Sequence, residues 1–141
     1  MKKILAAVDG SDASIHAARL GLDLAEAIGA ELTLIYVREP VILPLAPGML
    51  PATPFPGLSE AEHAASRAVL NDVAVALGRP KLAAVHRFGP PADTVADFAE
   101  EAGFDLVVVG NKGRGAVRRM LVGSTADRLA HVCRVPVLVA R

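Results

Sequence analysis

Asp105-Leu106-Val107-Val108-Val109-Gly110-Asn111-Lys112-Gly113-Arg114-Gly115 carries an apolar strand signal straight into a glycine cluster, and Gly123-Ser124-Thr125 follows. A short apolar run that ends on glycine suits a strand covered on both faces. Ser124 then opens a helix that reaches Cys133, and Val135–Ala140 reads as a further strand. Strand, loop, helix and strand in that order form the repeating unit of a parallel sheet with helical crossovers.

The same alternation runs back to the beginning of the sequence. Ile4–Val8 predicts a first strand, and Ser11 or Asp12 caps a helix that turns Ile15, Ala18, Leu22 and Ala25 inward and stops at Gly29. Glu31–Val37 is a second strand. Ser59 and Glu62 form a capping box for a helix with a largely alanine face, Ala61, Ala65, Ala68, Val73, Ala76 and Leu77, ended by Gly78 and Pro80. Lys81–Arg87 is a third strand. Pro91 suits the first turn of a third helix, with Val95, Phe98 and Ala102 inward and Gly103 past its end. Five strands and four helices predict one α/β domain over residues 1–141. Its doubly wound, five-stranded, mostly parallel sheet takes the order 3-2-1-4-5, with helices on both faces. The irregular stretch 38–57, with Pro40, Pro44, Pro47, Pro51, Pro54 and Pro56, is a loop long enough for a lid, a partner contact or a tolerated surface insertion.

Composition narrows the partners. Over 141 residues, 52% are hydrophobic, and 15 basic residues balance 15 acidic ones. Such a chain has a sizeable core to bury and no global field to hold nucleic acid or anionic lipid, so neither a nucleic-acid nor a membrane partner is expected. No apolar run approaches the ~18 residues of a membrane span. The stretch after Lys2 and Lys3 breaks at Asp9, short of the roughly 7–15 apolar residues of an export signal, so a cytoplasmic location is expected. Cys133 is the one cysteine, which excludes an internal disulfide and a thiolate zinc site, and it reads as a packing residue. His16, His63, His86 and His131 are scattered along the chain, with no pair at ligand spacing, and read as ordinary helix or strand residues.

The glycine loop has the chemistry of a phosphate site. In a doubly wound sheet, ligands sit beyond the carboxyl ends of the strands, where strand order reverses. The first and fourth strands flank that point. Glycines let successive backbone N–H groups form an anion-binding nest, and a helix opened by Ser124 presents unpaired N–H groups at its positive end. The charged residues between Gly110 and Gly123 are Lys112, Arg114, Arg118 and Arg119, all basic. Two better-known nucleotide motifs fail. A Walker loop would need Lys-Ser/Thr where Ala116-Val117 stand, and the dinucleotide fingerprint would need glycine at Arg118.

At these residues the sequence resembles the universal stress protein family, whose ATP-binding members carry Gly-x2-Gly-x9-Gly-Ser/Thr. Gly110, Gly113, Gly123 and Ser124 fit that spacing without a gap. The opening Ile4-Leu5-Ala6-Ala7-Val8-Asp9-Gly10-Ser11 resembles the family's first strand and aspartate turn, and Val135-Pro136-Val137-Leu138-Val139 its last strand, so the resemblance covers essentially the whole chain. It implies that Asp9 contacts the nucleoside, that Val37 meets adenine through its backbone, and that Val109 and Gly110 lie beside the ribose and first phosphate. It implies further that Gly113, Gly123, Ser124 and Thr125 hold the phosphates. One departure is Ala7, where some ATP-binding relatives have proline. The stretch 38–57 has no dependable counterpart.

Bottom-up, Asp9 also has the simpler role of helping to cap the first helix. The implied ligand is ATP, with or without Mg²⁺, and AMP or another adenine nucleotide fits the same motif. The expected function is that of a stress-response regulator, a binding module whose state is set by the nucleotide. The alternatives are a slow ATPase and an interaction protein with a vestigial site. No residue is evident that would activate water near the γ-phosphate, so no catalytic residue is assigned. The last strand, apolar up to Arg141 and expected at the sheet edge, predicts a homodimer through Val135–Ala140, as the resemblance also implies. The protein partner is left open.

Overall fold

In the computed structural model, residues 1–39, 46–48, 56–112 and 122–141 are described. The strands are β1 (Lys3–Ala7), β2 (Glu31–Arg38), β3 (Ala83–Phe88), β4 (Leu106–Gly110) and β5 (Val137–Ala140). The helices are α1 (Asp12–Ile28), α2 (Pro56–Ala76), α3 (Pro91–Glu101) and α4 (Ser124–Val132). The sheet order is β3-β2-β1-β4-β5, as expected. Every pairing is parallel, in registers that include Ile4 with Leu32, Ile4 with Leu106, Ile35 with Val85 and Val107 with Val137.

Alternation along each strand feeds two cores. Ile4, Ala6, Val8, Leu34 and Val108 pack beneath α1 and α2. Leu5, Ile35, Val107 and Val109 pack beneath α3 and α4 with Val95, Ala96 and Leu129. Both faces of β1 and β4 are therefore apolar, which is why these strands read as uninterrupted apolar runs. Small residues bring α1 close to the sheet: Ala17, Ala18, Gly21 and Ala25 are buried, and the α-carbon of Gly21 faces Leu32 and Val108.

Several expectations need correction. The inward face of α2 is Ser66, Leu70, Val73, Ala74 and Leu77, whereas Ala61, Ala65, Ala68 and Ala76 are exposed. Alanine surrounds this helix and does not define a side, so the sheet takes the stripe with the largest apolar surface. The helix also begins at Pro56, so Ser59 lies inside it and the capping box does not mark its start. In α3, the buried residues are Ala92, Val95, Ala96 and Ala99, with Phe98 at the margin of the core. A turn closed by Leu82 N–H to Arg79 O delays β3 to Ala83. The last strand starts after Pro136, which lacks the N–H to extend the ladder. The histidines are not all isolated: His63 on α2 and His86 on β3 meet, with Nδ1 and Nε2 2.6 Å apart. Cys133 packs at the margin of the second core, and burial pushes its thiol above the usual value, so it stays protonated.

The start of β1 is tied to the start of β4. Asp105 Oδ2 accepts the amides of Lys2 at 2.6 Å and Lys3 at 3.0 Å, and Lys3 Nζ donates to the carbonyl of Ala102 at 2.9 Å. The two backbone amides are the main reason that the Asp105 carboxyl lies below its ordinary value. No described helix is long and apolar enough to cross a membrane.

Candidate functional site

The helices change sides between β1 and β4. The route β1–α1–β2–α2–β3 winds outward on one face, and α3 returns across the other face to place β4 beside β1. Helices that leave β1 and β4 on opposite faces open a crevice beyond the carboxyl ends of these strands. A cavity of about 400 Å³ lies there.

One wall is the β1–α1 turn. Ser11 caps α1 by accepting the amide of Ser14 at 3.2 Å. Gly10 supplies the positive φ of 81° that the turn requires. Asp9 Oδ1 accepts the Ser11 amide at 2.9 Å, and the Asp9 amide donates to Ser14 Oγ at 3.2 Å. Asp9 therefore borders the cavity and also fixes the turn.

The floor comes from β2. Pairing of β1 with β2 reaches Ala7 and Ile35 and closes with Val8 N–H to Ile35 O at 2.9 Å. β2 continues to Arg38, paired along that stretch with β3. In a parallel ladder, alternate residues direct their N–H and C=O to the same side. Ile35 faces β1, so Val37 also directs its amide and carbonyl to the side that β1 has left, where the cavity is. Arg38 faces the other way, its carbonyl accepting the Gly89 amide at 3.1 Å.

The remaining wall joins β4 to α4. Gly110 ends β4 against the first turn of α1. A Cβ there would stand 2.8 Å from Ala13 O and 2.9 Å from Ala13 C, so only glycine fits without movement. Asn111 donates its amide to Ala140 O at 2.8 Å, and its carbonyl accepts the Gly123 amide. This bond closes the neck of the loop and sets Gly123 as the N-cap of α4. Gly123 has φ −71° and ψ 155° and supplies no side-chain hydrogen bond to the helix. The first-turn amides of a nine-residue helix thus open at the cavity without a side-chain cap.

Seven of the eight residues singled out in the sequence line this one cavity: Asp9, Val37, Val109, Gly110, Gly123, Ser124 and Thr125. Gly113 lies outside the described residues, as do Arg114, Arg118 and Arg119 and most of the 38–57 stretch. Lys112 lines the cavity. Sequence reasoning missed Tyr36, Arg38 and Glu39 at the end of β2, and Pro91 and Val95 from α3. The run of β2 past the end of β1 could have pointed to the first group. Nothing in the sequence marks Pro91 or Val95, because only the crossover of α3 brings them over β2.

The sequence model of the universal stress protein family matches residues 1–141. A universal stress protein of Methanocaldococcus jannaschii is 30% identical over 154 residues, covering 99% of this chain and 82% of the relative. The solved structure of the universal stress protein UspA from Lactobacillus plantarum has a TM-score of 0.78 at 29% identity, covering 99% of this chain and 97% of that one. A universal stress protein crystallised in complex with cAMP has a TM-score of 0.67 at 26% identity, covering 99% of this chain and 96% of that one.

Proposed function

The chain belongs to the universal stress protein family, and from that premise we propose that it binds an adenine nucleotide, ATP, in the cavity beyond β1, β2 and β4. The observation that carries this reading is that the cavity has two chemically different ends. At one end, the backbone edge of Val37 stands with the apolar side chains of Pro91 and Val95, which suits a flat base with a donor–acceptor edge. At the other, Gly110 and the open first turn of α4 offer amides, and Lys112 adds a cation. That end suits phosphate, and each hydrogen bond to an ionised group contributes roughly 1.5–3 kcal/mol. Asp9, between them, is assigned to the nucleoside, Val109 and Gly110 to the ribose and first phosphate, and Gly123, Ser124 and Thr125, with Gly113, to the phosphates. A cAMP complex within the family supports an adenine nucleotide as the ligand class.

The protein acts as a nucleotide-dependent binding module in stress response. Among the described residues that line the cavity, the acids are Asp9 and Glu39. Asp9 is committed to the β1–α1 turn and Glu39 follows the end of β2, so neither is placed as a base at the Gly123–Thr125 end. Calorimetry with ATP tests the site. Gly123→Val puts a branched side chain at the phosphate end, at a φ of −71° that valine accepts, and is expected to abolish binding while circular dichroism stays native. Equal affinity in both proteins would overturn the placement.

The same reading includes a homodimer through Val135–Ala140. β5 is the sheet edge, with Val137, Leu138 and Val139 only half-buried. α1 lies over β5, and Leu20, Leu24 and Ile28 run along its flank opposite the one that reaches the end of α2 through Arg19 and reaches Arg79, just beyond α2, through Glu26. Leu20 and Ile28 are 40% and 45% exposed. An unpaired edge strand flanked by an apolar helix strip is self-complementary about a two-fold axis.

A further inference from the structure

We propose that His63 and His86 form a proton-controlled latch between α2 and β3. Nδ1 of His63 and Nε2 of His86 stand 2.6 Å apart, a separation that holds one proton, so a second drives the rings apart and frees the first half of α2 from the sheet edge.

The contact matters because, among the described side chains of that half of the helix, few others attach it to the sheet. From Leu70 onward, Leu70, Val73, Ala74 and Leu77 are buried against the sheet. From Glu60 to Ala68, only Ser66 is buried, and Glu62 and His63 are half-buried. The Ser66 hydroxyl donates to its own helix, at Glu62 O, and adds no bond to the sheet. His63 is therefore the polar anchor of this segment on β3. Phe88 stands edge-on to both imidazoles, with ring centroids 5.0 and 6.0 Å away, and walls the pair on one side. Opposite β3, β2 presents Tyr36 beside His86 and Arg38 beside Phe88.

The surrounding charges oppose double protonation. Burial lowers the His86 pKa first, followed by the positive charges of His63, Arg67 and Arg87. The acids on this part of α2 are Glu60 and Glu62, both of which precede His63 in sequence. A base whose folded pKa lies below its unfolded value binds fewer protons in the native state, so its contribution is complete above about pH 6.5 and is lost as pH falls toward the folded value. Converging imidazoles also suit a transition metal. Among the described residues, no group of three or more ligating side chains assembles, and Arg67 and Arg87 repel a cation, so the pair is a proton site.

The test is an NMR titration of the histidine rings in the full chain, with amide exchange along α2 at pH 7.5 and 5.0 corrected for the intrinsic pH effect. We expect the His86 ring to titrate clearly below 6.5 in the wild type. Protection over residues 60–68 should fall severalfold more than over residues 70–77. In His63→Gln, the His86 titration should return toward 6.5 and the excess loss at low pH should vanish. A His86 titration near 6.5 in the wild type would overturn the latch, as would an equal loss of protection along the whole helix. An excess loss that persists in His63→Gln would do the same.

Discussion

Gly110→Ala tests the close approach that shapes the cavity. The added Cβ would stand 2.8 Å from Ala13 O, 2.9 Å from Ala13 C and 3.2 Å from Ser14 N, all backbone atoms of the first turn of α1. To reach an ordinary contact of 3.4 Å, that turn must retreat by about 0.6 Å (3.4 − 2.8). No side-chain rotation provides the space, so α1 has to tilt away from the sheet or β4 has to bend. Overpacking of this kind costs about 1–3 kcal/mol. Alanine recovers about 0.5–1 kcal/mol of the backbone entropy that glycine loses in a strand. At the middle of both ranges the expected net destabilisation is about 1 kcal/mol, or a fall in Tm of roughly 3–5 °C for a chain of this size. Nucleotide affinity should fall as well, since the Asp9 amide is hydrogen-bonded to that turn at Ser14 Oγ. Gly21→Ala is the internal control. Its Cβ meets the mobile end of Leu32 at 3.3 Å, and it gains about 0.8–1.0 kcal/mol of helix propensity, so it should be neutral or slightly stabilising. Differential scanning calorimetry of the three proteins decides. A Gly110→Ala protein as stable as the wild type would refute the reasoning, because it would mean that β4 and α1 do not meet as described.

The Asp105 carboxyl is held below its ordinary value by the Lys2 and Lys3 amides. Its contribution is therefore present above about pH 4 and lost as pH falls through the lowered native value; the urea midpoint of Asp105→Asn should lie below the wild type at pH 6 and the gap should narrow as pH falls below about 4, and a gap that stays constant in acid would contradict this. Val137→Lys puts a charge on the β5 edge, and light scattering coupled to size exclusion should show weaker dimerisation; an unaltered dimer would move the interface elsewhere, and a wild type monomeric at micromolar concentration would remove it. With no base placed at the phosphate end among the described residues, ATP turnover should stay well under the ~1 s⁻¹ of slower metabolic enzymes, and a higher rate on contaminant-free protein would make the protein an enzyme.

What the sequence determined by itself was whatever depends on local pattern. Apolar runs marked β1 and β4 because strands covered on both faces have no polar alternation to disguise them. Ser11, Gly29 and Pro91 marked helix ends because caps act within one turn. Glycine spacing singled out Gly110, Gly123 and Ser124, which line one cavity, because a motif's spacing is local to the chain. Tertiary structure alone decided what depends on distance across the fold. The buried side of α2 was illegible because alanine lies all round that helix, and only contact with β2 and β3 selected Leu70, Val73 and Leu77. Pro91 and Val95 reached the cavity because a crossover returned α3 over the sheet. His63 and His86, 23 residues apart, met because α2 lies along β3. Gly110 had a second reason to be glycine, the backbone of Ala13, that no spacing rule contains. Local pattern fixes which segments are strands and helices, and the shape of their packing then decides which side chains share a cavity, a face or a proton.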